Sequence, residues 1–287
     1  FIYLFTLLVF PLRIIGYLLS EIPHSSSGYK RVTEILGEER ELDPRTKFFK
    51  TSDGISVQLV DVAFKYPESS DYVFKHVNVE IPSGSKIAVV GETGCGKSTL
   101  LKIIAGLLAP DSGSVAIQDR KCSIVFQEPF LFSGSIRFNV TLGKMTSNEL
   151  VQNALWVSAC DEFISELDEK EDTVVGERGV SLSGGQRQRV ALARALASSS
   201  GVLLLDDTTS ALDPATESLV IERLSSVERQ ITTIMVASRP TTIRIADYVL
   251  FIHDGFVEPL SLHEDLLHSN AAYSRLMTSF EIDRRQA

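Results

Sequence analysis

The sequence predicts an α/β protein with a parallel core sheet, a set of antiparallel strands and a preceding apolar helix. Short apolar runs of the buried-strand type alternate with segments of helical periodicity along most of the chain. This alternation is typical of parallel strands joined by crossover helices. A glycine-rich loop connects one of these strands directly to a helix, at residues 91–98, and this arrangement is typical of phosphate-binding α/β proteins.

The composition fits a globular protein and argues against a nucleic-acid-binding surface. Of the 287 residues, 44% are hydrophobic and 23% are charged. The 37 acidic and 28 basic residues give a formal net charge of −9, and no Lys/Arg-rich block offers a surface for DNA or RNA. Cys95, Cys122 and Cys160 lie far apart without a CxxC motif, which favours reduced thiols over a zinc site or a disulfide framework.

The first 20 residues, FIYLFTLLVFPLRIIGYLLS, are almost all apolar and are interrupted by Pro11 and Arg13. They lack the basic start and the small-residue cleavage site of a secretory signal. A membrane-spanning helix needs about 20 apolar residues, so we interpret the stretch as the end of a transmembrane helix, with a buried amphipathic helix as the alternative. Since the chain starts with Phe rather than Met, we expect a fragment. The polar sequence that follows predicts a helix and linker, which places a domain boundary between residues 52 and 53.

The elements after residue 53 follow from local patterns. Alternating apolar residues predict an antiparallel pair of strands over 55–66 and 72–81, and a short buried strand follows at 86–90. Further buried strands are predicted at 201–206, 232–237 and 247–252. Helical periodicity predicts helices at about 97–108, 147–157, 185–198 and 214–227.

The loop VVGETGCGKSTL follows the strand 86–90, enters a helix and fits the pattern G-x-x-x-x-G-K-[ST]. Its glycines allow backbone N–H groups to curl around phosphates, and the helix amino end adds partial positive charge. Lys97 is expected to reach the outer phosphates and Ser98 to ligate Mg²⁺. We interpret Cys95 as a tolerated small residue, with a redox switch as the alternative. The residues predicted to bind nucleotide here are Gly91, Gly94, Gly96, Lys97, Ser98 and Thr99.

A second motif, VSLSGGQRQRVALARAL, places Ser183, Gly184, Gly185 and Gln186 before a helix rich in Arg and Ala. With the phosphate loop before it and LLLDD and SALD after it, the chain resembles the ATP-binding cassette (ABC) superfamily, whose signature is LSGGQ. The resemblance implies a P-loop NTPase fold with a helical signature subdomain, and it implies ATP and Mg²⁺ as ligands.

This resemblance extends from residue 55 to about 280 and assigns 53–287 to the nucleotide-binding domain. Residues 1–40 resemble the last transmembrane helix and linker of an exporter-type half transporter. Residues 173–179, TVVGERG, match the segment through which exporters contact intracellular coupling helices. Ser210–Asp213 match the D-loop.

The resemblance also assigns roles to single residues. Gln127 matches the Q-loop residue that contacts Mg²⁺ and faces the transmembrane domain. Asp206 matches the Walker B acid that holds Mg²⁺ through water. Tyr66 matches the aromatic residue that stacks on adenine, a position for which the residues alone favour core packing.

Two positions depart from the family pattern. The Glu that normally follows the Walker B acid, and acts on the attacking water, is Asp207 here. Its carboxylate is withdrawn by about 1.5 Å, and a displacement near 1 Å can cost about 100-fold in rate. The switch His is replaced by Ser238, which can donate to a γ-phosphate but carries no charge. None of the five histidines is placed in the sequence to substitute, so we predict a degenerate site that binds ATP and hydrolyses it poorly.

A third departure is length, since Lys97 and Gln127 are only 30 positions apart. Relatives have a longer segment there, so part of the antiparallel subdomain is expected to be missing.

In this family a head-to-tail dimer brings one subunit's signature onto the ATP held by the other's phosphate loop. The resemblance therefore implies an ATP-hydrolysing subunit of an exporter that couples ATP-driven dimerisation to transport. We expect it in the plasma membrane with the nucleotide-binding domain on the cytoplasmic face. The expected partner is a second half transporter, in a heterodimer by preference and a homodimer as the alternative. A soluble ABC protein and a regulatory ATP-binding module without turnover remain competing hypotheses, whereas the fused apolar helix disfavours an importer.

Overall fold

The computed structural model describes residues 2–38, 54–118, 121–176, 179–208, 211–226 and 231–286. Backbone contacts divide the chain into two compact units, Phe1–Leu42 and Asp43–Ala287. The boundary predicted between residues 52 and 53 lies outside the described residues.

The first unit contains one helix, α1, from Ile2 to Gly37. The apolar stretch and the beginning of the polar segment form this single helix, which includes both Pro11 and Pro23. Its 36 residues correspond to a length of about 54 Å at 1.5 Å per residue. None of its residues is buried, and by length and composition it is able to cross a membrane.

The second unit begins with an antiparallel sheet of three strands in the order β2-β1-β4. Strand β1 is Ile55–Phe64, β2 is Phe74–Pro82 and β4 is Ser112–Ile117. Leu59, in the central strand, lies opposite Val79 on one side and Val115 on the other. All three side chains are buried, so one face of this sheet contributes to the core.

A larger sheet has six strands in the order β11-β10-β3-β9-β8-β5. Every neighbouring pair is parallel except the hairpin of β10 and β11. The strands are β3 Lys86–Gly91, β5 Cys122–Val125, β8 Val202–Leu205, β9 Thr232–Val236, β10 Tyr248–His253 and β11 Phe256–Val257.

Helices cover this sheet and build a separate helical layer. Gly134–Ser135 (β6) and Val174–Val175 (β7) form a small antiparallel pair within that layer. The helices are α2 Lys97–Ala105, α3 Ile136–Thr141, α4 Asn148–Val157, α5 Cys160–Ile164, α6 Gly184–Ala197, α7 Pro214–Ser225, α8 Pro240–Arg244, α9 His263–Ser269 and α10 Ala271–Gln286.

Apolar side chains form three clusters around the six-stranded sheet. One joins the antiparallel sheet and α2 to the parallel strands, through residues such as Leu59, Leu100 and Ile234. The second packs α3–α7 together and against β5 and β8. The third joins β3 and β10 to α8, α9 and α10. The predicted mixed α/β architecture is therefore confirmed, with parallel, antiparallel and helical layers all present.

Several predicted elements end a few residues earlier than expected. Helix α2 stops at Ala105 because Gly106 adopts a left-handed φ of 75° and its N–H bonds back to Ile103. Strand β1 ends at Phe64, and Tyr66 lies beyond it. Helix α7 ends at Ser225, two residues before the predicted limit. The differences lie at element ends, where local caps decide the boundary.

Candidate nucleotide-binding site

A cleft of about 320 Å³ opens where several parallel strands end. Strands β3, β9 and β8 are neighbours in the sheet, and the loops after them supply most of the cleft wall. The carboxyl ends of parallel strands are the usual place for ligands in open α/β sheets. The cleft is lined by Thr93, Gly94, Gly96, Lys97, Ser98, Thr99, Gln127, Asp206, Asp207, Val236 and Ser238.

The phosphate loop leaves β3 and closes on the first turn of α2. Lys97 Nζ donates to the carbonyl oxygens of Gly91 and Glu92, both at 2.7 Å. Gly96, at the N-cap of α2, has a left-handed φ of 106° and no side chain that could cap the helix. The first N–H groups of a helix lack partners within the helix, so this end is suited to an anion.

A side chain at Gly96 would not fit the observed packing. A Cβ there would lie 2.7 Å from Phe74 Cζ and 2.8 Å from Val73 Cγ1. Phe74 is fully buried in the core between the two sheets. The position therefore requires glycine both for its backbone conformation and for its space.

The aromatic residue predicted for the base lies beside this loop. The hydroxyl of Tyr66 is 2.9 Å from Thr99 Oγ1, in the first turn of α2. The ring of Phe64 contacts it edge-to-face, with 5.1 Å between centroids. Tyr66 is 40% exposed, so part of its ring is accessible to a ligand next to the cleft.

The acidic side of the cleft faces the loop. Ser98 Oγ donates to Asp206 Oδ1 at 2.7 Å, and Asp206 is only 5% exposed. Gln127 lines the same cleft. A hydroxyl, a carboxylate and an amide offer the hard oxygen donors that Mg²⁺ prefers.

No group of three or more His, Cys, Asp or Glu side chains within the described residues could hold a metal alone. A cation in this cleft would take its other ligands from phosphates and water, which is usual for Mg²⁺. The donor set therefore fits this ion.

Asp207 accepts hydrogen bonds on both carboxylate oxygens. Gln127 Nε2 donates to Oδ2 at 3.3 Å, and Ser238 Oγ donates to Oδ1 at 3.1 Å. The backbone of Asp207 has a left-handed φ of 47°, which is uncommon for a residue other than glycine. The fold thus brings together Gln127, Asp207 and Ser238, which the sequence analysis expected to act on Mg²⁺, on the attacking water and on the γ-phosphate.

The signature residues build the start of α6. Ser183 Oγ accepts the N–H of Gln186 at 3.2 Å, and Gln186 Oε1 accepts the N–H of Ser183 at 2.9 Å. This reciprocal pair is a capping box. Among the described residues that line the cleft, none belongs to 183–186, so the signature is not part of the wall of the chain's own cleft.

The segment before α7 is held by Asp213. Its carboxylate accepts the backbone N–H and the hydroxyl of Thr216, and also the N–H of Ala215. Hydrogen bonds from Thr216 and Ala215 hold the pKa of Asp213 below its ordinary value. Of the predicted D-loop, Ser210 lies outside the described residues, as do Glu177 and Arg178 of the segment 173–179.

Burial acts in the same direction on two of the thiols, Cys95 and Cys160. Cys95, within the phosphate loop, is partly buried, and burial raises its pKa while the charge of Lys97 opposes that rise. Burial raises the pKa of Cys160 to about 12. Both are therefore protonated thiols at neutral pH.

Sequence reasoning missed three residues that support the cleft. Gln188 Nε2 donates to the backbone carbonyl of Gln127 at 3.2 Å, which fixes this loop to α6. Arg239 follows Ser238 and forms an ion pair with the buried Glu217. Gln188 lies in the signature motif and Arg239 follows the switch position. Their nearness to a recognised motif was the feature of the sequence that could have pointed to these two residues.

The five histidines, all among the described residues, lie outside the cleft. His253 contacts Glu258 at 2.8 Å, and His263 contacts the hydroxyl of Tyr273 at 2.6 Å. His76 contacts Asp61. None therefore takes the place of the histidine that is absent at position 238.

Comparison with known proteins gives consistent matches. A family profile described as "ABC transporter" matches residues 74–210. The mycobactin import ATP-binding/permease protein IrtB of Mycobacterium bovis is 40% identical over 232 residues, which are 76% of this chain and 40% of that protein. The ATP-dependent lipid A-core flippase of Alkalilimnicola ehrlichii is 36% identical over 279 residues, covering 92% of this chain and 47% of that protein.

A solved structure, described as a bacterial Atm1-family ABC exporter with ATP bound, has a TM-score of 0.84 and 30% sequence identity. The match covers 94% of this chain and 50% of that chain. The chain thus spans half or less of the length of each of these three proteins.

Proposed function

We propose that this chain, which belongs to the ABC transporter family, is the ATP-binding part of an exporter and couples ATP binding and hydrolysis to transport. The observation that carries the proposal is the convergence of Lys97, Ser98 and Asp206 on one cleft at the amino-terminal end of α2. This combination suits a nucleoside triphosphate with bound Mg²⁺. The ammonium and the helix amino end suit the phosphates, and the carboxylate oxygen suits the metal ion.

In the proposed complex the phosphates lie on the loop 91–98. The carbonyls of Gly91 and Glu92 hold the Lys97 ammonium, which then turns towards the outer phosphates. Tyr66, anchored on Thr99, stacks on the base. Ser98, Gln127 and Asp206 would hold Mg²⁺, which neutralises charge on the phosphates when it is bound.

We propose that this cleft hydrolyses ATP slowly. A general base has to present a carboxylate oxygen to the attacking water. Asp207 is one methylene shorter than Glu, and its two oxygens already accept from Gln127 and Ser238. Ser238 also brings no positive charge to the γ-phosphate.

We propose that the chain functions in a dimer. Ser183–Gln186 form a helix start suited to phosphate, yet they lie away from the chain's own cleft. They can act on ATP only when a second subunit presents its phosphate loop to them. A heterodimer whose partner carries Glu and His would contain one weak and one competent site, whereas a homodimer would contain two weak sites, so we favour the heterodimer.

The apolar helix α1 supports a place in the membrane, and we propose the plasma membrane, with residues 53–287 as a nucleotide-binding domain on the cytoplasmic face. The solved structure named an exporter supports export. One relative is named as an import ATP-binding/permease protein. The fused helix therefore does not decide the direction of transport, contrary to the argument made from sequence.

Nucleotide binding by the purified chain tests the proposal. Lys97→Ala removes the ammonium that would contact the phosphates, and hydrogen bonds to charged groups contribute about 1.5–3 kcal/mol. We expect ATP affinity, measured by calorimetry, to fall about 10- to 100-fold. Lys102→Ala, on the same helix but outside the cleft, is the control and should bind like wild type.

Equal ATP affinity of wild type and Lys97→Ala would contradict the proposed site. Tight binding of ATP combined with no turnover, even after a partner half transporter has been added, would instead favour the regulatory module.

A further inference from the structure

A carboxylate that does not line the cleft is buried in α7. Glu217 is only 3% exposed, and an isolated charge in such a place is costly. It forms an ion pair with Arg239 through Oε2 and accepts the hydroxyl of Thr242 at Oε1, at 3.0 Å. The Glu217 side chain is buried and the Arg239 side chain is 36% exposed, and these two contacts join α7 to the segment 239–242.

The cluster formed by Glu217, Arg239 and Thr242 is connected to the cleft through Arg239. Arg239 is the residue after Ser238, which lines the cleft and bonds to Asp207. On the other side, Arg239 Nη1 donates to the carbonyl of Leu212 at 3.5 Å. The guanidinium thus bridges the cleft wall and the segment that enters α7.

The same segment lies against the signature. A Cβ at Gly185 would be 3.1 Å from the carbonyl oxygen of Ala211 and 3.2 Å from Leu212 Cδ2. Backbone and side chain are therefore packed with little spare space at this point. Residues 211–212 thus lie against the start of α6, where the capping box of Ser183 and Gln186 lies.

We propose that Arg239, Glu217 and Thr242 are positioning residues that transmit the state of this chain's own cleft to its signature. Contact between Ser238 and the terminal phosphate of ATP fixes Arg239, which fixes Leu212 and thereby orders Ser183–Gln186. The inference rests on the proposed function, since it requires ATP in the cleft. Its consequence is that a site with weak hydrolysis still controls the signature that the chain offers to a partner.

Hydrogen–deuterium exchange on the full chain in detergent micelles tests the link without a partner. We expect ATP with Mg²⁺ to slow amide exchange at 183–188 by about fivefold or more, the lower end of typical coupling between sites. ADP, which lacks the phosphate that reaches Ser238, should leave this exchange unchanged. The same slowing at two chain concentrations assigns the effect to a single chain.

The decisive variant is Arg239→Gln/Glu217→Gln, which removes both charges of this ion pair together. It is expected to bind ATP with wild-type affinity and to lose the ATP-dependent slowing at 183–188. The matched control is Arg137→Gln/Glu171→Gln, which removes an ion pair between α3 and the turn at 170–172. That variant should keep the slowing.

Unchanged ATP-dependent slowing in the Arg239/Glu217 variant would overturn the inference, as would the absence of slowing in a wild-type chain that binds ATP. If the double variant does not fold, Arg239→Lys, which keeps a positive charge beside Glu217 but lacks the guanidinium that reaches Leu212, replaces it with the same expected loss, and unchanged slowing again overturns the link. Failure of the wild-type chain to bind ATP would overturn the proposed function itself, so the binding isotherm separates the two failures.

Discussion

The carboxylate of Asp207 is held between two donors, the amide of Gln127 and the hydroxyl of Ser238. Glu at position 207 would carry the carboxylate about 1.5 Å further from the backbone, and His at position 238 could supply a charge that Ser cannot. The side chains of Asp207 and Ser238 therefore share one hydrogen bond. A change at either position also alters the other's hydrogen bond, so effects on hydrolysis are expected to be non-additive.

Gly96 and Gly94 in the phosphate loop share a left-handed backbone but differ in the space available for a side chain. Both have left-handed backbones, at φ 106° and 85°, so Ala at either position introduces strain of about 1–3 kcal/mol. At Gly96 the new Cβ also meets Phe74 and Val73, whereas nothing lies within 4 Å at Gly94. We expect Gly96→Ala to lower the free energy of unfolding by about 1–3 kcal/mol more than Gly94→Ala.

Urea unfolding of both variants, monitored by circular dichroism, measures this difference. Equal losses of unfolding free energy would mean that the contacts with Phe74 and Val73 relax at no cost, and would contradict the tight packing described for Gly96.

Residues that sequence motifs single out lie together in the structure, and their role in binding nucleotide stays a prediction. Lys97, Ser98 and Asp206 stand in motifs whose spacing reflects local backbone geometry, and the structure brings them into one cleft. The bond between Gln127 and Asp207 could not be predicted, because it joins residues far apart in sequence. The ion pair of Glu217 with Arg239 could not be predicted for the same reason.

At the scale of elements, α6 begins with the capping box of Ser183 and Gln186. Loss of an N-cap side chain costs about 0.5–2 kcal/mol. We expect Ser183→Ala to destabilise the chain by that amount and also to lower ATP hydrolysis with a partner, since Ser183 is proposed to contact ATP on the other subunit. Urea unfolding and an ATPase assay measure the two effects.

Ser147 offers the matched control, since it caps α4 by accepting the N–H of Leu150. Ser147→Ala should cause a comparable loss of stability and leave hydrolysis unchanged. If both variants lowered hydrolysis alike, the effect of Ser183 would be structural and its proposed contact with ATP would be wrong.

Elements were predictable where the signal is local. Strand β3, the loop and α2 follow one another within 20 residues and came out as expected. The pairing of Gly134–Ser135 with Val174–Val175 was not foreseen, because two-residue strands carry no periodicity and their partners are remote in sequence. The short helix α5 was missed as well, since its five residues are too few for a helical pattern.

At the scale of the whole molecule, helix α1 predicts membrane association. Its apolar part has a mean hydropathy of 2.0 over 18 residues. Leu8→Asp/Leu12→Asp places two charges in this part, and each charge at the centre of a spanning helix costs about 2.5–3.5 kcal/mol. We expect the wild-type chain in the membrane fraction of expressing cells and this variant largely outside it.

Val32→Asp/Leu36→Asp has the same spacing in the polar end of α1 and serves as the control, which should remain with the membranes. Equal distribution of both variants and the wild type between fractions would contradict a membrane role for the apolar part of the helix.

The signature and the cleft lie in different parts of the fold, since residues 183–186 do not line the cleft. Ser183–Gln186 and the phosphate loop are well formed, each by its own local sequence. Their separation depends on how the layers pack, which local patterns do not determine. The proposed site, with both parts around one ATP, would therefore be formed by two chains.

The most direct measurement is the ATPase rate of the purified chain compared with that of Asp207→Glu/Ser238→His, at chain concentrations high enough for dimers. Both chains keep the phosphate loop and the signature, so only the base and the switch residue differ. We predict a low rate for the wild type and an increase of about 100-fold for the double variant, from recovery of the displaced carboxylate, and Lys97→Ala should abolish that increase. A wild-type rate equal to or above that of the double variant would contradict the claim that this cleft binds ATP but hydrolyses it poorly.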